Sequence, residues 1–236
     1  MRPPPSIQVL RNFQRHDVLG LLEGAVNVGV ELGVAEGVFS QRMMASGKFT
    51  HVIGIDMYAD SHDVQQYKTA LRKLRLLSGY KLLRMRFDEA LDLFDDESLD
   101  FLYVDGYAHG GEEGGETIFD WYPKVKDAGW IAGDDYHADW PLVCEAVNAF
   151  AAQLGEPILL TELTEPDNAY CRYPTWAIRK SRALDLTAPL ELIRRGKREN
   201  ARIARLREGG FIKRNLRRVV PAVVLRHLKE LRSGRP

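Results

Sequence analysis

Cysteine is scarce in this sequence. Cys144 and Cys171 are its only two among 236 residues, too few for a disulfide framework, and the chain reads as one that folds in a reducing compartment. Long apolar runs are missing too. The longest, around 219–225, falls far short of the roughly 20 residues a membrane-spanning helix needs. Met1-Arg2-Pro3-Pro4-Pro5 leads into no apolar signal region, so a cytoplasmic location is expected. Internal repeats and low-complexity segments are absent, which excludes solenoids and disordered tails of biased composition. Net charge is missing as well: 33 Lys and Arg balance 33 Asp and Glu. That balance hides a division, because residues 181–236 hold 16 basic and 5 acidic side chains while residues 1–180 hold 17 and 28. An acidic body therefore carries a basic appendage.

What is present is alternation. Apolar, β-branched runs of strand length fall at 25–32, 51–56, 81–85, 99–105, 130–133, 157–163 and 175–179. Between them, residues 37–46, 63–77, 88–93, 113–124 and 142–154 repeat their apolar positions at three- and four-residue spacing. The pattern predicts a Rossmann-like α/β fold, a seven-stranded, mostly parallel sheet with helices on both faces. A lead-in helix is expected within residues 1–24, the main domain over 25–180, and a basic helical extension over 181–236, with Gly209-Gly210 separating an Arg-rich helix from a second amphipathic stretch. Trp121, Trp130 and Trp176 lie in predicted elements and read as core, whereas Trp140 is kept as a candidate acceptor contact.

Chemistry in such sheets gathers at the carboxyl ends of the strands. The first junction reads Glu31-Leu32-Gly33-Val34-Ala35-Glu36-Gly37. Gly33 permits a sharp turn, and Gly37 lets the next helix pack closely. A pyrophosphate fingerprint would need a glycine at position 35, which is Ala, and Glu31 would repel a diphosphate. This disfavours a nicotinamide-dependent oxidoreductase. Asp56, at the next strand end, is suited to a pair of ribose hydroxyls. An acid in the turn together with an acid for the ribose points to a cationic nucleoside, of which S-adenosylmethionine is the common one.

Asp105 ends the fourth predicted strand, and Asp134-Asp135 end the fifth. Three carboxylates at one mouth would repel one another unless a divalent cation such as Mg²⁺ lay between them, and such an ion would also lower the pKa of a substrate hydroxyl.

These motifs resemble the class I S-adenosylmethionine-dependent methyltransferases over roughly residues 25–180. Within that superfamily, Ser98-Leu99-Asp100-Phe101-Leu102-Tyr103-Val104-Asp105-Gly106, Asp120-Trp121-Tyr122-Pro123-Lys124-Val125-Lys126 and Gly133-Asp134-Asp135-Tyr136-His137 are similar to a bacterial branch that includes macrocin-type, metal-dependent sugar O-methyltransferases. The resemblance implies that Glu31, Gly33 and Gly37 surround the methionine part of the cofactor. It also implies that Asp56 holds the ribose and that Met57, Arg86 and Phe87 flank the adenine. It further implies that Asp105, Asp134 and Asp135 bind the metal, and that His109 acts with Asp105 in deprotonating the acceptor, with His137 a rival base. A small sugar-like acceptor is expected and nucleic acid is not. A catechol would suit the same metal arrangement. The basic segment 181–236 reads as an oligomer or peripheral membrane contact, or as a solvated helix that answers the acidic body. A non-catalytic adaptor built on the same sheet is the remaining alternative.

Overall fold

A computed structural model describes residues 5–59, 62–106 and 111–219. Eight strands form one sheet in the order β1-β7-β8-β6-β5-β2-β3-β4. At its centre run β2 (Asn27–Leu32) and β5 (Leu99–Val104), parallel neighbours whose side chains are almost all buried. β3 (Phe49–Ile55) and β4 (Tyr80–Leu83) extend the sheet on one side, and β6 (Val125–Gly133) on the other. β8 (Trp176–Arg179) runs antiparallel to both β6 and β7 (Ile158–Thr161), while β1 (Ile7–Leu10) pairs in parallel with β7 at the edge. The strand order reverses direction between β2 and β5, which makes their carboxyl ends the expected ligand crevice.

Local chemistry accounts for the helices around the sheet. α1 (Val38–Ala45) starts after Gly37, whose φ of 76° is a left-handed conformation, and a Cβ at Gly37 would run into Leu74 of α2 (Val64–Leu74). α2 opens with a capping box: the Asp63 carboxylate accepts from the Gln65 and Gln66 amides at 2.8 and 3.0 Å, and the Gln66 side chain accepts from the Asp63 amide at 2.9 Å. α5 (Pro141–Leu154) starts on a proline and stops at Gly155 in the left-handed region. Its buried face, Val143, Ala146, Val147, Phe150, Ala151 and Leu154, packs in the main core with Trp121 and Trp176, both fully buried as expected.

Four expectations are corrected. The lead-in segment is strand β1 followed by a 3₁₀ turn, Arg15–Leu21, and the extra strand brings the sheet to eight. Its helical spacing misled because Val18, Leu19 and Leu22 are buried from this short 3₁₀ segment and its cap against Phe39, Met43 and Phe101. The stretch expected as one helix over 113–124 is divided into α3 (Gly111–Gly114), α4 (Glu116–Trp121) and a 3₁₀ turn. Gly114 and Gly115 break it with φ of 80° and 85°, and a Cβ at Gly114 would lie 2.6 Å from the Ile193 Cα. The short helix expected over 88–93 is only a 3₁₀ turn, Leu91–Leu93. Finally, α6 (Leu190–Val219) runs unbroken through Gly209-Gly210, so those glycines do not end the helix. Residues 220–236, including the rest of the second amphipathic stretch, lie outside the described residues.

Candidate active site

The turn after β2 is shaped by backbone requirements. Gly33 adopts φ 92°, its amide donates to the Ile55 carbonyl at 2.9 Å, and a Cβ there would collide with the Asp105 carbonyl oxygen. Ala35 carries a left-handed φ of 46°, a strained conformation for a residue with a Cβ. Asp56, buried at the end of β3, holds this turn together. Its Oδ2 accepts from the Val34 and Ala35 amides, both at 3.0 Å, and lies 2.6 Å from the His62 Nδ1; its Oδ1 accepts from the Tyr58 amide at 2.9 Å. Tyr58, itself at φ 48°, donates its hydroxyl to the Ala35 carbonyl at 2.9 Å. The ribose-binding candidate is thus also the brace of the glycine turn. His62 is a neighbour that sequence reading missed, since no motif marks it.

Glu31 is buried in the middle of the sheet, where the Ser40 hydroxyl of α1 donates to it and in turn lies 2.9 Å from the Tyr80 hydroxyl. Burial pushes its carboxyl up to about 8, against the opposing effects of the Ser40 hydrogen bond and the Arg15 charge. Met57 is half-buried. Arg86 is exposed, forked onto Asp88 at 2.8 and 3.0 Å. Phe87 is buried in the main core against Gly106, where a Cβ would lie 2.7 Å from its ring.

Asp105 and Asp134 follow adjacent strands, β5 and β6, and a cation lies between them. It is Arg15, from the 3₁₀ turn that follows β1. One guanidinium nitrogen contacts Asp105 Oδ2; the other donates to Asp134 Oδ2 at 2.8 Å and to the Tyr170 carbonyl at 3.1 Å. The guanidinium carbon sits over the rings of Phe39, Tyr103 and Tyr170 at 5.2, 5.2 and 4.6 Å, and the residue is only 6% exposed. Burial pulls its pKa down, but Asp105 foremost among its neighbours holds it well above the usual arginine value. The remaining oxygen of Asp134 accepts from the Thr175 hydroxyl at 3.1 Å. Asp135, next in sequence, has a left-handed φ of 62°; burial, with the charges of Asp105 and Asp134, pushes its carboxyl up to about 8.

The expected Mg²⁺ site finds no support in this arrangement. Among the described residues, no group of three His, Cys, Asp or Glu side chains is placed to hold a metal ion, and Asp105 and Asp134 already share a guanidinium. Sequence reading missed Arg15 because its partners stand 90 and 119 residues away.

The proposed base His109 lies outside the described residues; α3 begins just after it, at Gly111. His137 is exposed, accepts from the Asp139 amide at 3.2 Å and stacks on Tyr173, with ring centroids 4.8 Å apart. Next to it, Trp140, Pro141 and Leu142 line a cavity of about 760 Å³ together with Arg195, Arg198 and Arg202 of α6. α6 is fastened to the body by buried Leu192 and by ion pairs from Arg195 to Glu145 at 2.5 Å and from Lys197 to Glu116 at 3.1 Å.

Residues 28–136, from β2 to just past β6, match a family model described as a methyltransferase domain, and an S-adenosylmethionine-dependent methyltransferase is the enzyme class that this domain supports. No curated protein matches the chain. Among solved structures, it is similar to an rRNA methylase from Streptococcus thermophilus, with 14% identity, 71% of this chain and 94% of that chain covered, and a TM-score of 0.51. The N-methyltransferase NodS from Bradyrhizobium japonicum is similar at 15% identity, with 71% and 95% covered and a TM-score of 0.50. A spermidine synthase from Thermotoga maritima is similar at 15% identity, with 72% and 60% covered and a TM-score of 0.53. At these identities the likeness establishes a shared fold.

Proposed function

We propose that this protein transfers a methyl group from S-adenosylmethionine to a hydroxyl of a small polar acceptor, a sugar or glycoside. One observation supports the cofactor above the others. Glu31, Asp56 and Asp105 stand at or beside the carboxyl ends of β2, β3 and β5, around the reversal of strand order and inside the stretch that matches a methyltransferase domain. That donor set is acidic throughout and fits a cationic adenosyl ligand. When bound, the cofactor supplies an electrophilic methyl on a sulfonium.

The chain's own groups then have simple tasks. Gly33 and Gly37 let the turn bend where a Cβ would collide, Glu31 offers a counter-charge for the methionine part once its proton is released, and Asp56 Oδ1, which accepts from the Tyr58 amide, is proposed to accept from a ribose hydroxyl as well. Met57, Arg86 and Phe87 lie after β3 and β4, on the side proposed for the adenine. Mg²⁺ does not fit between Asp105 and Asp134, so no step is assigned to it. Deprotonation of the acceptor instead falls to His109 or to Asp135, whose carboxylate sits near the mouth and can hold a proton near neutral pH. The remaining contribution is positioning, which in-line displacement rewards strongly. The acceptor is proposed to lie in the cavity beside Trp140, whose indole suits stacking on a sugar ring. The basic helix α6 forms the other wall, and its proposed role is to complement the acidic body.

Radiolabelled methyl donor offered with panels of glycosides and catechols tests this reading. It predicts incorporation into glycosides that is abolished in either His109→Ala or Asp135→Asn. Transfer confined to nitrogen or carbon nucleophiles would overturn it.

A further inference from the structure

We infer that Arg15 is the resident cation of this site: its guanidinium holds the place between Asp105 and Asp134 that a divalent ion would take, and removing it opens a divalent-cation site.

The surroundings satisfy both terminal nitrogens of the guanidinium, although its Nε is buried without a hydrogen-bond partner among the described residues. Two carboxylates that follow adjacent strands meet its two terminal nitrogens, the Tyr170 carbonyl accepts a third hydrogen bond, and three aromatic rings lie within 5.2 Å of its carbon. Arginine is weakly hydrated and stacks on aromatic rings, so it tolerates such walls. Mg²⁺ retains several waters and demands an octahedron of oxygens. The rings of Phe39 and Tyr103, which stack on each other with centroids 3.9 Å apart, present carbon in place of the oxygen ligands that shell needs on their side. Thr175 anchors the other oxygen of Asp134, so its carboxylate is already oriented toward Arg15. The electrostatic problem posed by acids at adjacent strand ends is thus met from within the chain. Once the side chain is shortened, the two carboxylates and water that enters the vacated space make the oxygen-rich, anionic environment that a hard cation prefers.

The inference rests on the methyltransferase reading only for its placement in the cofactor-binding mouth, and the test keeps the two apart. Full-length wild type, Arg15→Ala, Arg15→Lys and the double variant Arg15→Ala with Asp105→Asn are titrated with MnCl₂. Bound ion is read by electron paramagnetic resonance and by thermal denaturation, and binding of S-adenosylhomocysteine is measured separately in EDTA. Wild type and Arg15→Lys are expected to bind Mn²⁺ at least tenfold more weakly than Arg15→Ala, and the double variant is expected to lose the gain. Should Arg15→Ala fail to fold, Arg15→Gln, which keeps most of the volume but not the charge, is read by the same criterion. Mn²⁺ bound to wild type in an Asp105-dependent manner, or a folded Arg15→Ala or Arg15→Gln that binds no better than wild type, would overturn the inference. Failure of wild type to bind S-adenosylhomocysteine would count against the cofactor reading, leaving the Mn²⁺ comparison to decide the role of Arg15.

Discussion

Replacing Glu31 by glutamine should stabilise the protein, and by an amount that depends on pH. Glu31 is buried among neighbours that include two further acids, Asp56 and Asp105, and its carboxyl titrates near 8 in the folded chain against an ordinary value of 4.5. The folded state therefore holds this proton more tightly than the unfolded state does. The sign follows: the contribution of Glu31 to stability is fully present below about pH 4.5, is lost progressively as pH rises toward 8, and is level beyond. At about 1.4 kcal/mol per unit, the loss reaches roughly 3 kcal/mol at pH 7 and roughly 5 kcal/mol above pH 8. A glutamine in its place carries no charge at any pH and can still accept from the Ser40 hydroxyl, so the penalty disappears while the packing remains. Urea unfolding of wild type and Glu31→Gln at unit steps from pH 4 to 9 isolates the effect, since the other titrating groups cancel in the difference. The two proteins should match at pH 4 and diverge by up to roughly 3 kcal/mol at pH 7. A difference that stays constant across the range would refute the reasoning. A cofactor cation beside Glu31 would favour release of the same proton, so S-adenosylhomocysteine and S-adenosylmethionine should differ in their pH dependence, and the glutamine variant should erase that difference.

Other consequences are more local. Gly33→Ala places a Cβ against the Asp105 carbonyl in a left-handed backbone, and should cost about 3 kcal/mol or more, read as a lower urea midpoint at unchanged slope. Thr175→Val removes the hydroxyl donor to Asp134 Oδ1 and should destabilise by about 1–3 kcal/mol in the same assay, with a smaller loss for Thr175→Ser. Trp140→Ala should raise KM for the acceptor severalfold with S-adenosylhomocysteine affinity unchanged; an equal loss of both would place Trp140 in the cofactor's half of the site instead.

Much of the architecture is local and was legible. Strand-length apolar runs, amphipathic spacing and the Gly33 turn each depend on a few consecutive residues, and seven strands and the acids at their carboxyl ends stand close to where the pattern puts them. Boundaries slipped where tertiary contacts outvoted the pattern, as at Gly114, which breaks a helix because Ile193 lies against it, and at Gly209-Gly210, through which α6 continues.

Sequence alone determined that acids collect at one mouth of a parallel sheet and that their charge demands a cation, because strand ends and carboxylates can be read residue by residue. Only the tertiary structure decided which cation answers it. Arg15 meets Asp105 and Asp134 because β1 pairs with β7, some 150 residues further along, and carries the turn behind it over the ends of β5 and β6. Nothing in the local pattern around Arg15 encodes that meeting; it exists because a sheet brings distant strand ends together.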